Sequence, residues 1–382
     1  MTILLLLTAA GWAALACVAW LGERALADLP SSESVDLSAE TVTAVMPARD
    51  EAERIERSVE GLLAQRGVAL QLVVVDDGST DATPELLLRL QARHERLRVV
   101  RVDRVPEGWL GKCHACSIGA AEVRDGWLLF VDADTWCAPD VVRRAVAAAR
   151  RSEAMHLCLL PGLGDCTFAG RAVVLFASLG MLGMSLGANR DRRFGHAGVG
   201  AFTLVDSAAY RSVGGHAALR HEVVEDFALA QRMRSAGYRS RLLLAARDVE
   251  VRWAYSAASF VRVLEKNMFA KLGFSVTRLL VQSTLLSAAF ALPLAGVVIG
   301  SWPGFSAFAA MMLAAVPAGV MARRYGFGIA AGLAAPFMVP LVVFAGLHSA
   351  RTVLRDGGVR WRGTTYPLAE LRKPRGDARQ PL

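Results

Sequence analysis

The 382-residue chain contains no internal repeat, and both common glycine-rich phosphate cradles, GxxxxGK[ST] and GxGxxG, are absent. Any phosphorylated ligand must therefore be held by other means. Six cysteines lie at irregular spacing without a cysteine-rich module, which excludes a disulfide scaffold and indicates free thiols in a reducing compartment. One CxxC is present, Cys113–Cys116 in "GKCHACS". It has no second CxxC and no HxxxH to complete a four-ligand zinc shell, and haem attachment needs CxxCH. Two packed thiols on one helical face are the plainer expectation.

Charge is missing from two stretches. Ile3–Leu21 is an uncharged run of 19 residues, about 28 Å as a helix, close to a bilayer core. No Lys or Arg precedes it, which favours a retained anchor over a signal peptide. From Leu279 to Ala350 only Arg323 and Arg324 are charged. Leu279–Gly300 and Phe305–Met321 read as spans joined by "SWPG", and Phe327–Ala350 as a third. "AVVLFASLGMLGMSLG" (172–187) is apolar but only 16 residues long, and is expected at the membrane interface or lining a lipid-entry groove.

What is present is basic and apolar: 54% hydrophobic, with a formal net charge of +8. Residues 351–382 hold eight Arg/Lys against three Asp/Glu. Beside membrane spans, this points to anionic headgroups rather than nucleic acid. The expected divisions are an N-terminal anchor (1–22), a ligand-binding half (41–165), an acceptor half (166–272), C-terminal spans (279–350) and a basic tail (351–382). With a cytoplasmic soluble region, four plain crossings would leave that tail outside, against the positive-inside rule. Either Phe327–Ala350, with Pro336 and Pro340, fails to cross, or another segment crosses.

Between the spans the pattern is α/β. "TVTAVM" (41–46) is a strand stopped by Pro47. "LQLVVVDD", "LRVVRV", "GWLLFVDAD" and "MHLCLL" are further strands. Helical patterns follow the first, second and fourth, and Lys112–Val123 reads as another helix. The alternation predicts a mostly parallel sheet, whose ligands bind at the carboxyl ends of its strands. Three such ends are acidic: Asp50 and Glu51, Asp76 and Asp77, and Asp132 and Asp134. Each alone is a turn former or cap. Together at one rim they repel and require a cation or a donor-rich ligand. In a strand, residues i and i+2 point the same way, so Asp132 and Asp134 of "VDAD" can both face one hard divalent cation, which also takes phosphate oxygens.

"VMPARDEAERI", "VVVDDGSTDAT", "VDAD" and "VVEDFALAQRM", in that order over residues 41–272, resemble the family 2 glycosyltransferases with the GT-A fold. The resemblance implies a Rossmann-like nucleotide-binding half, Mg²⁺ or Mn²⁺, and inverting transfer of a hexose from a nucleotide-sugar, a UDP-sugar such as UDP-glucose first among them. It places Pro47, Arg49, Asp50, Glu51, Asp76 and Asp77 about the donor, Asp132 and Asp134 on metal and diphosphate, and Glu225–Asp226 at the catalytic position with Asp226 as base. These two acids open a predicted helix, whose N-terminus favours their charged form. "GWLGK" is similar to membrane-bound members acting on polyisoprenoid lipids such as carotenoids and hopanoids, and suggests Lys112 beside the diphosphate. "GAFTLVDSAAYRSVGGHAAL" resembles the family's acceptor segment, giving Gly214, Gly215 and His216 as acceptor residues.

Arg262, Lys266 and Lys271 on an amphipathic segment are expected to meet headgroups. The QxxRW of processive and sphingolipid-directed relatives is absent; Arg252–Trp253 and Arg360–Trp361 lack its glutamine. The expectation is a multi-pass inner-membrane enzyme with a cytoplasmic catalytic domain, a lipid-hydroxyl acceptor and no nucleic-acid partner. A polyprenyl-phosphate sugar transferase and a non-catalytic scaffold are the alternatives.

Overall fold

A computed structural model describes residues 1–31, 37–191, 195–361 and 364–372. The side chains of Lys266 and Trp361, and residues 373–382 of the expected tail, lie outside the described parts. The elements, in chain order, are α1 (Thr2–Ala25), β1 (Thr41–Ala48), α2 (Ile55–Leu63), β2 (Ala69–Asp76), α3 (Thr83–Arg93), β3 (Leu97–Arg101), α4 (Gly111–Ala120), β4 (Trp127–Phe130), β5 (Thr135–Cys137), α5 (Val141–Arg151), β6 (His156–Leu163) and α6 (Phe168–Asn189). They continue with β7 (Thr203–Asp206), α7 (Ser207–Ser212), α8 (Glu225–Ser235), β8 (Ser240–Val251), α9 (Ala257–Lys271), α10 (Val276–Val298), α11 (Trp302–Leu313), α12 (Ala315–Arg324), α13 (Ile329–Ala334), α14 (Val339–Arg355), β9 (Gly358–Trp361), β10 (Thr364–Pro367) and α15 (Leu368–Leu371).

Eight strands form one mixed sheet in the order β3-β2-β1-β4-β7-β6-β8-β5. The first four are mutually parallel, β7 runs antiparallel between β4 and β6, and β6 and β8 are parallel again. β4, in the middle of the sheet, is fully buried, β1 and β2 are mostly so, and β3 at the edge keeps only Leu97 buried. Val42, Ala44, Met46, Leu70, Leu72 and Val74 form one face of the core with Ile55, Val59 and Leu62 of α2 and Leu87 and Leu90 of α3. Pro47 does not stop β1. It pairs in register with Val75 of β2, while β4 pairs with β1 only over Val42–Val45, so its missing N–H falls where that second neighbour has already ended.

The last strand before the acidic pair also differs from expectation. β4 ends at Phe130, and "DAD" lies in the turn leading to β5. Asp132 and Asp134 are therefore neighbours by turn geometry, with Thr135 N donating to Asp132 O (3.1 Å), and not by strand alternation.

Among the described residues, five segments are long and apolar enough to cross a membrane by length and composition: Thr2–Ala25, Phe168–Asn189, Val276–Val298, Trp302–Arg324 and Ile329–Arg355. The second corrects the sequence estimate of length: the helix runs 22 residues, capped by Thr167, whose side chain accepts from Gly170 N. α6 is nonetheless tied to the sheet at both ends. Thr167 N donates to Tyr255 O (2.9 Å), just past the carboxyl end of β8. Asn189 Nδ2 donates to Leu242 O near the start of β8 (2.8 Å) and to Ala25 O at the end of α1 (2.9 Å). The helix lies along the sheet with Leu175, Leu179 and Leu182 against Leu242 and Leu244.

Candidate active site

The β1–α2 and β2–α3 loops are laced together. Asp50, at φ 53°, donates its backbone N–H to Ser79 Oγ (2.9 Å) and accepts from Thr80 N on Oδ1 (2.8 Å). Glu51 N donates to Thr83 Oγ1 (2.8 Å), and Glu51 Oε2 lies 3.5 Å from Arg54 Nη1. Asp76 Oδ1 accepts from Ser79 N (3.0 Å). These acids of "RDE" and "DDGST" shape the loops. Asp77 is different. It is buried, neither carboxylate oxygen has a hydrogen-bond partner, and Arg49 Nη1 approaches only to 3.8 Å. Burial pushes its carboxyl up to about 6; Arg49 opposes the shift and Asp76 adds to it.

The carboxylates and one lysine meet beyond β4. Lys112, in the first turn of α4, places Nζ 2.6 Å from Asp132 Oδ1 and 2.5 Å from Glu225 Oε1. Burial alone would pull this ammonium down, but Asp132, Glu225 and Asp226 outweigh it, and Lys112 stays charged. Burial and the other two acids push Glu225 up, while Lys112 opposes the shift. Asp226 accepts from its neighbour Phe227 N on Oδ1 (2.7 Å) at the start of α8. Glu225 is thus committed to Lys112, and Asp226 keeps Oδ2 turned to the same space.

That space exists because of Gly200. A Cβ built there would lie 2.8 Å from Asp132 Oδ2, 3.3 Å from Lys112 Nζ and 3.5 Å from Asp226 Oδ2. Gly200 opens the "GAFTLVDSAAYRSVGGHAAL" segment but was not itself among the expected site residues. Gly111 is a second omission: a Cβ there would fall 2.1 Å from Asp77 Oδ2.

Pro47 and His216 line the cavity behind Lys112 and Asp226. His216 is buried, and Tyr210 Oη bonds its Nδ1 (2.8 Å) and accepts from its backbone N–H (2.9 Å). Burial, with Lys112 nearby, lowers the imidazole to about 3, so it is neutral. Gly214 and Gly215, at φ 84° and 52°, form the turn presenting this histidine. Cys113 and Cys116 are buried among Val45, Leu128, Phe130 and Leu229. Cys113 Sγ donates to Leu219 O (3.2 Å), burial raises both thiols, and all six cysteines are free.

Asp134 bears on a divalent cation. Burial pushes its carboxyl up to about 6, with Asp132 and Glu51 adding to the rise and Arg54 and Lys112 opposing it. A hard cation relieves such crowding. Among the described residues no group of three or more His, Cys, Asp and Glu side chains stands at metal-binding spacing. Asp132 and Asp134 are two carboxylates of this turn, and an ion held by them would complete its shell with phosphate oxygens and water.

The mixed, mostly parallel sheet with helices on its faces is a GT-A-type fold. Residues 43–213 match the family model Glycosyl transferase family 2. A 4,4'-diaponeurosporenoate glycosyltransferase of Staphylococcus aureus (strain bovine RF122 / ET3-1) is 29% identical over 203 residues, 52% of this chain and 52% of that protein. The protein of the same name from strain USA300 matches to the same extent. The chain thus spans about half the length of the curated relatives it matches. Among solved structures, mannosyltransferase PcManGT from Pyrobaculum calidifontis, in complex with GDP-Man and Mn²⁺, is similar with TM-score 0.53 at 19% identity. The match covers 93% of this chain and 99% of that one.

Proposed function

We propose that the protein is a membrane-anchored inverting glycosyltransferase that moves a hexose from a nucleoside-diphosphate sugar to a hydroxyl of a polyisoprenoid-type membrane lipid. The observation that carries this reading is the convergence of Asp132, Lys112 and Asp226 on the space above Gly200. The acceptor oxygen attacks the anomeric carbon and the sugar–phosphate bond breaks. The acceptor's proton passes to the Asp226 carboxylate, and the nucleoside diphosphate leaves with the bonding pair. Lys112 is charged and placed to meet the negative charge gathering on that diphosphate. Asp77, buried without a donor, is suited to accept from the nucleoside. Asp132 and Asp134 would hold Mg²⁺ or Mn²⁺, which when bound supplies Lewis-acid stabilisation of the diphosphate. Residues 41–165 would form the donor half and residues 166–272 the acceptor half.

The fold also supports a topology. Arg324, at the end of α12, bonds Glu23 Oε1 (3.0 Å), Leu26 O (2.7 Å) and Asp28 Oδ1 (2.8 Å), on the stretch where α1 joins the sheet. α10 therefore leaves the catalytic domain and α11–α12 returns to it. The chain after α14 also ends against that domain, where Gly111 N donates to Tyr366 Oη (3.0 Å) and Arg372 Nη2 to Phe274 O (2.8 Å). Ile329–Arg355 starts and finishes on one side, and α6 has both ends on one sheet. Three crossings remain: α1, α10 and α11–α12. Arg323, Arg324, Arg355, Arg360 and Arg372 then share the catalytic side, which the positive-inside rule makes cytoplasmic.

The test is incubation of membranes containing the full chain with radiolabelled UDP-glucose, and with other UDP- and GDP-sugars, plus Mg²⁺ or Mn²⁺, followed by lipid extraction. The expected result is metal-dependent label in the lipid phase with release of the nucleoside diphosphate. Absence of both labelling and hydrolysis across the donor panel would refute the reading.

A further inference from the structure

The segment beyond the last apolar helix is not a free tail over its described length. α14 continues to Arg355, β9 and β10 pair as an antiparallel hairpin with Tyr366 opposite Val359, and α15 follows. The hairpin lies against the start of α4. Tyr366 is buried, with its hydroxyl 3.0 Å from Gly111 N, across 255 positions of sequence. Gly111 is also the residue against which Asp77 packs. Lys112 is the next residue, and its ammonium bridges Asp132 and Glu225. Leu110, Lys112, Glu222, Glu225, Val359 and Tyr366 line one cavity at this junction.

The chemistry of the contact is specific. The N–H groups of a helix's first turn have no partner within the helix. Tyr366 Oη accepts the one from Gly111, and its own proton remains to donate. A few ångströms away, Asp77 presents two buried acceptor oxygens without a donor. A ligand carrying both hydroxyl or N–H donors and anionic oxygens would satisfy both groups, and a nucleoside diphosphate is such a ligand.

We propose that Tyr366 is a positioning residue of the donor site. The C-terminal hairpin pins Gly111 and so sets Lys112 and the wall facing Asp77, and the site is complete only when the chain beyond the membrane helices has docked. The inference rests on the reading that a nucleoside diphosphate binds at these strand ends. It goes further in assigning part of that site to the far end of the chain, outside the matched family domain.

The experiment uses the full-length protein in detergent, as wild type and Tyr366→Phe, which keeps the ring and removes only the hydroxyl. The dissociation constant for UDP and for GDP, each with Mn²⁺, is measured by calorimetry, and donor KM and kcat are measured where turnover is seen. One lost hydrogen bond weakens binding about five- to tenfold. The variant should therefore show that rise in Kd and KM with kcat within about threefold, whereas a merely structural tyrosine would lower the melting temperature at unchanged Kd. As a second measurement, hydrogen exchange of β9 and β10 should slow when UDP and Mn²⁺ are added to the wild type. Unchanged affinity in Tyr366→Phe, or hairpin exchange indifferent to bound nucleotide, overturns this inference while leaving the donor site intact. A wild type that binds neither nucleotide overturns both.

Discussion

Lys112 is central to the site because its ammonium bridges two carboxylates from different elements, half-buried Asp132 and buried Glu225. Removing it takes the cation from between Asp132 and Glu225 and strips a positive charge from the leaving group. Lys112→Ala should lower turnover by about 10²–10³ at saturating donor. Cys113→Ala combined with Cys116→Ala should stay within a few-fold of wild type and cost about 1–2 kcal/mol in stability. Initial rates and thermal melts of the three proteins decide between lysine and thiols. Asp77 gives a second residue-scale prediction, and its sign follows from burial. Its carboxyl is raised from 3.8 to about 6 in the folded protein. The stability it contributes is fully present below pH 3.8 and lost as the pH rises through about 6. Asp77→Asn should therefore raise the melting temperature at pH 8, by no more than about 3 kcal/mol in stability, with the difference from wild type vanishing toward pH 4. The same variant should bind nucleotide more weakly. A variant no more stable at pH 8 than at pH 4, relative to wild type, would contradict the assignment. The sequence reading placed Asp76, Asp77 and Asp132 at one rim and Asp226 at the start of a helix, and it set Asp76 and Asp77 alike about the donor. Only the turn shows that Ser79 N bonds Asp76 Oδ1, leaving Oδ2 without a partner, while neither oxygen of Asp77 has one.

At the scale of elements, the parallel half of the sheet was readable because its strands are short apolar runs between helical repeats. The antiparallel half was not. β7 is four residues long, and β8 carries Arg247 and Asp248 near its end, which breaks any alternation. Asp248 is tolerated because Arg144 of α5 reaches it with both terminal nitrogens (2.8 and 3.0 Å), a pairing no local pattern encodes. The acidic turn after β4 was found by composition, although its strand-alternation rationale did not hold. Gly200 was missed for a related reason: a glycine whose value lies in what it leaves room for has no side-chain signature. Gly200→Ala should push a methyl group to 2.8 Å from Asp132 Oδ2. The predicted outcome is a loss of turnover of about tenfold or more with a melting temperature near wild type. Turnover at the wild-type level would show that Asp132 and Asp226 do not work across this space.

For the whole molecule, the decisive contact joins residues 255 positions apart, which is why the number of crossings could not be settled from hydropathy. With the hairpin docked on the catalytic domain, single cysteines in a Cys17→Ser background report the topology. Asp103→Cys on the catalytic domain and Arg355→Cys after α14 should react with a membrane-impermeant maleimide from the same side of sealed vesicles, and Trp302→Cys from the other. Labelling of Arg355→Cys together with Trp302→Cys would mean that Ile329–Arg355 crosses. The central claim, that the Lys112–Asp132–Asp226 cluster transfers a sugar with Asp226 as base, is tested most directly in one preparation of wild type and Asp226→Asn. UDP binding with Mn²⁺ and initial rate at saturating UDP-hexose are measured side by side. Removing a positioned base costs about 10²–10⁴ in rate, so the variant should bind UDP within about threefold of wild type and lose at least 10² in turnover. Turnover that survives the substitution with binding intact would contradict the claim and point to an acceptor already ionised, such as a lipid phosphate.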